Sequence, residues 1–337
     1  MQKALHGIIL ALAASGAAAQ TNVTLYGVAD LGLVAEHGGL AGGVVKLTSG
    51  IANGSRIGFK GVEDLGGGMS ALFVLEGGIL ADTGASGQGG LLFGRQAFVG
   101  LAGKPGTIRL GRQCTVIDAT LGAIDPFYLG FAGRISNVLV AGYVSRVDNM
   151  ALYSSRAVGG FSAEAAYGFG EVAGSASAKR HAGGALNYAS GPVFLRLAHQ
   201  DTNTLNAALA GGNAKNTVLG VVYAIGSVKV HAAYAVSKSR AAGVVGVDSH
   251  DAMLGATLPF GPHSVMASYV HRDDRRLANG DATQLALGYT YAMSKRTSLY
   301  AAFGHIDNRN TAFYTSGNAT EPGSGNQAYN LGLRHTF

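Results

Sequence analysis

The stretch FSAEAAYGF (161–169) places Phe161, Ala163, Ala165, Tyr167 and Phe169 on one parity and Ser162, Glu164, Ala166 and Gly168 on the other. In SVKVHAAYAVS, Val228, Val230, Ala232, Tyr234 and Val236 alternate with Lys229, His231, Ala233 and Ala235. In TQLALGYTY, Leu285, Leu287, Tyr289 and Tyr291 alternate with Gln284, Ala286, Gly288 and Thr290. A period of two predicts strands, because successive strand side chains point to opposite faces. Most such segments run about ten residues, longer than an ordinary globular strand.

The connectors between them alternate in length. Tight turns are read at 63–68, 103–106, 157–160, 190–192, 224–227, 259–262 and 292–296. Longer polar or glycine-rich connectors are read near 36–50, 82–90, 114–144, 171–180, 202–215, 239–248, 273–281 and 307–325. Seven short and eight long connectors join sixteen strands, an antiparallel meander with hairpins tight at one end and loose at the other. A soluble sandwich hides its apolar face against a second sheet. A transmembrane barrel turns that face to lipid and its polar face to a lumen. In lipid every backbone polar group must be paired within the sheet, so the sheet must close. The even count, the strand length and the alternating connectors predict an all-β fold, a 16-stranded antiparallel transmembrane β-barrel.

Composition agrees with that reading. Of 337 residues, 47% are hydrophobic and only 13% charged, with 53 Gly and no Trp. So large an apolar fraction is not a disorder signature. The start, MQKALHGIILALAASGAAAQ, has one lysine, an apolar run and Ala17-Ala18-Ala19, as in a secretory signal peptide cleaved near Ala19. Residues 20–337 would then form the barrel, located in a bacterial outer membrane. No other stretch is long and apolar enough for a transmembrane helix. The single Cys114 offers no internal disulfide. The end, QAYNLGLRHTF, gives Tyr329, Leu331, Leu333 and Phe337 one outward parity, with His335 an imperfect member. Such a last strand is expected to pair with the first, 22–33, and leave no sheet edge.

Several stretches carry a family resemblance: VTLYGVADLGL (23–33), SRIGFKGVEDLGGGMSALFVLE (55–76), FGRQAFVGLAGKPGTIRLGRQ (93–113), DPF (125–127), RVDNMALYSS (146–155) and YNLGLRHTF (329–337). The ordered set resembles the Gram-negative general diffusion porins, specifically the betaproteobacterial type. The resemblance implies a homotrimer, passive diffusion of small hydrophilic solutes and a third loop folded into the barrel. It also implies that the terminal aromatic strand is presented to the outer-membrane assembly machinery.

The third connector, 114–144, is too long to be structureless without a function. Folded inward, it would offer Asp118 and Asp125 as the acidic side of a constriction. Ile57 and Phe59 face outward, so Arg56 and Lys60 share the lumen parity. By resemblance Arg56, Arg95 and Arg146 match an arginine ladder at the narrowest point. Arg112 shares the parity of Ile108 and Leu110 and is expected at the base of the third loop. Arg196, Lys229, His231, Arg272 and Arg334 are further inward candidates. A cationic lumen concentrates anions, so weak anion selectivity is expected.

No GxSxG or HExxH motif is present, and the ten His form no ligand-spaced cluster with Cys. The dispersed net charge of +6 marks no nucleic-acid surface. The expectation is a non-enzymatic channel without cofactor or metal. The rivals are a substrate-selective channel of like architecture, which would need an aromatic run lining its pore, and an outer-membrane barrel enzyme.

Overall fold

The structure, a computed structural model, describes residues 22–203, 212–241, 244–317 and 325–337. The signal segment expected over 1–19 lies outside the described residues. The first strands are β1 (Asn22–Gly39), β2 (Gly42–Ser49), β3 (Arg56–Gly66), β4 (Met69–Leu80), the short β5 (Ala85–Ser86), β6 (Gln96–Gly103) and β7 (Gly106–Cys114). A helix, α1 (Val116–Ile124), follows. Then come β8 (Arg146–Ser155), β9 (Phe161–Gly168), β10 (His181–Ser190), β11 (Val193–Asn203), β12 (Asn213–Ile225) and β13 (Val228–Ala241). The last are β14 (Val244–Phe260), β15 (His263–Asp274), β16 (Ala282–Ala292), β17 (Thr297–Asn308) and β18 (Gln327–Thr336).

Every neighbour pairs antiparallel, and the sheet closes where β1 meets β18, from Val28↔Thr336 to His37↔Gln327. β2 and β3 occupy one position around the wall. β1 pairs with β2 through its later half and with β3 through its earlier half, and residues 50–55 bulge inward between them. β5 only folds back on the end of β4. Sixteen strand positions result, as the connector pattern predicts. No described helix is long and apolar enough to cross a membrane.

Two connectors differ from expectation. Much of 36–50 is strand, since β1 runs to Gly39 and β2 begins at Gly42. Likewise residues 239–241 and 244–248 extend β13 and β14. Polar and glycine-rich composition there reports contact with water, not loss of the strand. A hairpin ladder satisfies backbone groups equally well above the apolar belt.

The outward parity is apolar. Leu186, Leu197, Leu219 and Tyr234 lie side by side on four successive strands, and all are exposed. Aromatic pairs mark both ends of this belt, with Phe161 against Tyr188 at 4.7 Å near the tight turns and Tyr167 against Phe169 at 4.9 Å near the loose ones. That banding is the interfacial girdle of a barrel in lipid. Tyr329, Leu331, Leu333 and Phe337 are exposed on the same face. Phe337 is fixed by both backbone groups: its N–H donates to the Gly27 carbonyl at 3.1 Å and its carbonyl accepts from the Gly27 N–H at 3.0 Å.

Candidate functional site

The segment after β7 turns back against the inner wall. Thr115 caps α1, its hydroxyl accepting from the Asp118 N–H at 3.2 Å. Four α1 side chains, Val116, Ile117, Leu121 and Ile124, are completely buried. Each such burial contributes roughly 1.5–3 kcal/mol, an upper estimate. The wall receives the segment at glycines. A Cβ on Gly183 of β10 would stand 2.9 Å from Val116. The same atom on Gly220 of β12 would stand 2.5 Å from Ile124, on Gly255 of β14 2.6 Å from Pro126, and on Gly288 of β16 2.8 Å from Phe127. Farther along, the Ala132 N–H donates to Asn330 Oδ1 on β18, and the Phe131 N–H donates to the Ile51 carbonyl. The segment therefore follows the inner wall from β10 round to β18 and the 50–55 bulge.

The opposite wall stays uncovered. No member of either buried apolar cluster lies on β3, β4, β6 or β7. Instead these strands carry charge. Glu76 on β4 accepts from Arg95 Nε at 2.7 Å and from the Tyr26 hydroxyl at 2.9 Å, and Arg56 Nε stands 3.5 Å away. Arg146 donates through Nε to the Arg95 carbonyl at 3.1 Å. It forms no ion pair among the described residues. Lys60 lies over the Tyr26 ring at 5.2 Å, and Arg109 over the Phe98 ring at 5.3 Å. Glu76 thus faces Arg56 and Arg95 with Arg146 and Lys60 beside them, so this wall is net positive, whereas Arg109 has Glu164 as its nearby carboxylate. Arg95, Arg146 and Asp118 all converge on Cys114 at the root of the inward segment.

Comparison with known proteins decides what such a barrel is. A profile described as Gram-negative porin matches residues 7–311. The chain belongs to the Gram-negative porin family. An outer membrane porin protein of Bordetella pertussis is 31% identical over the full length of both chains. Outer membrane porin protein 32 of Delftia acidovorans is 30% identical, also over 100% of each. Among solved structures, an anion-selective porin from Comamonas acidovorans superposes with a TM-score of 0.83 at 29% identity, covering 94% of this chain and 100% of that one. This porin is accordingly an outer-membrane protein.

The porin structure separates the expected site residues into three groups. Arg56, Lys60, Arg95 and Arg146 lie together on the uncovered wall, with Lys229 exposed on the inward parity of β13. Arg334 stands directly across the β1–β18 seam from Asp30. Arg196 and Arg272 also point inward but are buried and neutralised. Arg196 donates to Glu164 at 2.5 Å, to Thr120 at 2.7 Å and to Asn187 at 2.7 Å, whereas Arg272 meets Asp251 and the Val138 carbonyl, each at 3.2 Å. They anchor the inward segment and add no open positive charge. His231 serves likewise, its Nδ1 2.9 Å from the Ile124 carbonyl. Arg112 lies at the base of the segment as expected, donating to Asp148 at 2.5 Å and to the Gly94 carbonyl.

The acidic side needs the clearest correction. Asp125 is completely buried and accepts the backbone N–H groups of Phe127 at 2.9 Å, Leu129 at 2.9 Å and Ile135 at 3.1 Å. Burial outweighs these donors and pushes its carboxyl up to about 7. It shapes the loop and presents nothing to solvent. Asp118 is half-buried and accepts from the Tyr143 hydroxyl at 2.7 Å, and burial pushes that phenol upward. The acid that meets the arginines is Glu76, which the sequence reading does not single out. The stretch MSALFVLEGGIL does not alternate cleanly, so parity gave no inward assignment. The available signal was that Glu76 is its only acid.

Proposed function

We propose that this porin passes small hydrophilic solutes passively, with a weak preference for anions, through the gap between the inward third connector and the basic wall. The observation that carries this reading is the single Glu76 carboxylate set against Arg56 and Arg95, with Arg146 and Lys60 beside them. Fixed cations in a narrow, low-dielectric passage raise the local concentration of anions and lower that of cations. Lys229 on β13 and Arg334 on β18 would add positive charge on the side the connector follows, and Asp118 would form the acidic edge facing the basic wall. The reading includes no catalytic step.

The same proposal takes the first 19 residues as a cleaved signal peptide, the assembled protein as a homotrimer, and the strand ending at Phe337 as the segment read by the assembly machinery. The likeness to an anion-selective porin supports the selectivity. The test is the reversal potential of single channels in a planar bilayer under a KCl gradient. A chloride-favouring potential that Arg56→Ala weakens is the expected result. Cation preference would overturn the selectivity, and a folded barrel without conductance would overturn the channel itself.

A further inference from the structure

On the outer wall, at the tight-turn end, β8 to β12 enclose an apolar groove of about 890 Å³. Its floor is made by Leu186, Leu197 and Leu219, and Phe161 and Tyr188 form one side. A second groove of about 590 Å³ lies beside it, floored by Leu101 and Ile108. The β6–β7 turn separates them, and Lys104 and Pro105 line both. That turn is tied to the end of β8. The Arg156 N–H donates to the Pro105 carbonyl at 3.2 Å, and the Tyr153 hydroxyl donates to the same oxygen at 2.8 Å. The shared ridge therefore carries two exposed cations, Lys104 and Arg156. No carboxylate lines either groove.

Two apolar troughs divided by a cationic ridge match one kind of occupant: an amphiphile with an anionic head and two apolar tails. The ridge lies at the tight-turn end, where a barrel of this type meets the inner leaflet. Lys and Arg at that depth attract anionic headgroups. We propose that the ridge and its two grooves form a binding site for an anionic glycerophospholipid of the inner leaflet. The phosphate sits between Lys104 and Arg156, and one acyl chain lies in each groove. A zwitterionic lipid offers the same tails but places its own cation against the ridge.

The test is native mass spectrometry of the detergent-extracted assembled protein, titrated separately with phosphatidylglycerol and phosphatidylethanolamine of equal chain length. Phosphatidylglycerol should be retained in preference, and the double variant Lys104→Gln, Arg156→Gln should bind it at least about tenfold more weakly. Phosphatidylethanolamine retention should change little. Unaltered conductance and heat-modifiable gel mobility would show the variant folded. A milder variant, Leu197→Ala, should reduce retention of both lipids by emptying the groove floor. Equal retention of the two lipids by the wild type, or undiminished phosphatidylglycerol binding by the double variant, would overturn the site. So would efficient crosslinking between copies through a cysteine at Leu186→Cys, because the groove would then be a subunit contact.

Discussion

Tyr300 on β17 donates its hydroxyl to Asp30 Oδ1 on β1 at 2.5 Å, passing over Gly332 of the strand between them. Asp30 also accepts the Asn53 N–H at 2.6 Å. The contact spans the seam from inside and ties the last two strands to the first. A Cβ on Gly332 would lie 2.3 Å from the Tyr300 hydroxyl and 2.6 Å from the Leu31 carbonyl. Tyr300→Phe leaves a buried acceptor short of one donor and should cost about 1–3 kcal/mol. Gly332→Ala should cost more, because backbone must move. Both should lower the temperature at which the folded band disappears in gel electrophoresis. A Tyr300→Phe transition equal to wild type would remove the clasp.

Ion selectivity should respond to some inward arginines and not to others. Arg56→Ala or Arg146→Ala removes charge from the uncovered wall and should move the reversal potential toward potassium. Glu76→Gln leaves Arg56 and Arg95 unopposed and should move it toward chloride. The double change Arg196→Ala, Glu164→Ala should hardly change it, since it removes one cation and one carboxylate together. Loss of Arg196 should instead leave the buried Thr120 hydroxyl with only its bond to the Val116 carbonyl and weaken the seat of α1 by roughly 1–3 kcal/mol. The two readouts, potential and thermal transition, are therefore expected to separate the wall from the anchors.

Asp125 makes the loop seat depend on pH. Its carboxyl titrates at about 7 in the folded protein, above the ordinary value of about 3.9. The seated loop thus binds the proton more tightly than a released loop. This contribution is complete below about pH 4 and is lost progressively as pH rises to about 7. Hydrogen exchange of the Phe127, Leu129 and Ile135 N–H groups, corrected for intrinsic rate, should show falling protection across that window. Asp125→Asn should flatten the profile. A flat wild-type profile would contradict the account.

The glycine track offers a steric test. In Gly220→Val a side chain must occupy space held by Ile124, whose Cγ2 lies 2.5 Å from a Cβ at that position. Overpacking of this kind typically costs about 1–3 kcal/mol. Here it should appear as a loosened inward segment, because the loop is freer to shift than the barrel ladder. Single channels of the variant should show larger current fluctuations and altered conductance, with the barrel still resistant to detergent. Wild-type noise from a correctly folded variant would mean that α1 does not depend on this seat.

Strand number, strand facing and the meeting of the two chain ends were legible in the sequence. They follow from a local period of two and from the requirement that a sheet in lipid leave no edge unpaired. Leu331 and Leu333 face outward because their neighbours alternate, whatever lies across the seam. Arg56 and Lys60 face inward for the same reason. Parity, however, assigns only a face. It could not show that Arg196 and Arg272 would be covered and matched by Glu164 and Asp251, nor that Asp125 would fold into its own backbone. It misjudged 36–50 because water tolerates strand and loop alike. Those outcomes depend on cross-strand register and on the path of one connector around the lumen, from Gly183 to Asn330. The tertiary structure alone decided which inward charges stay open, because neutralisation needs two groups within a few ångströms and no local pattern encodes a distance between strands.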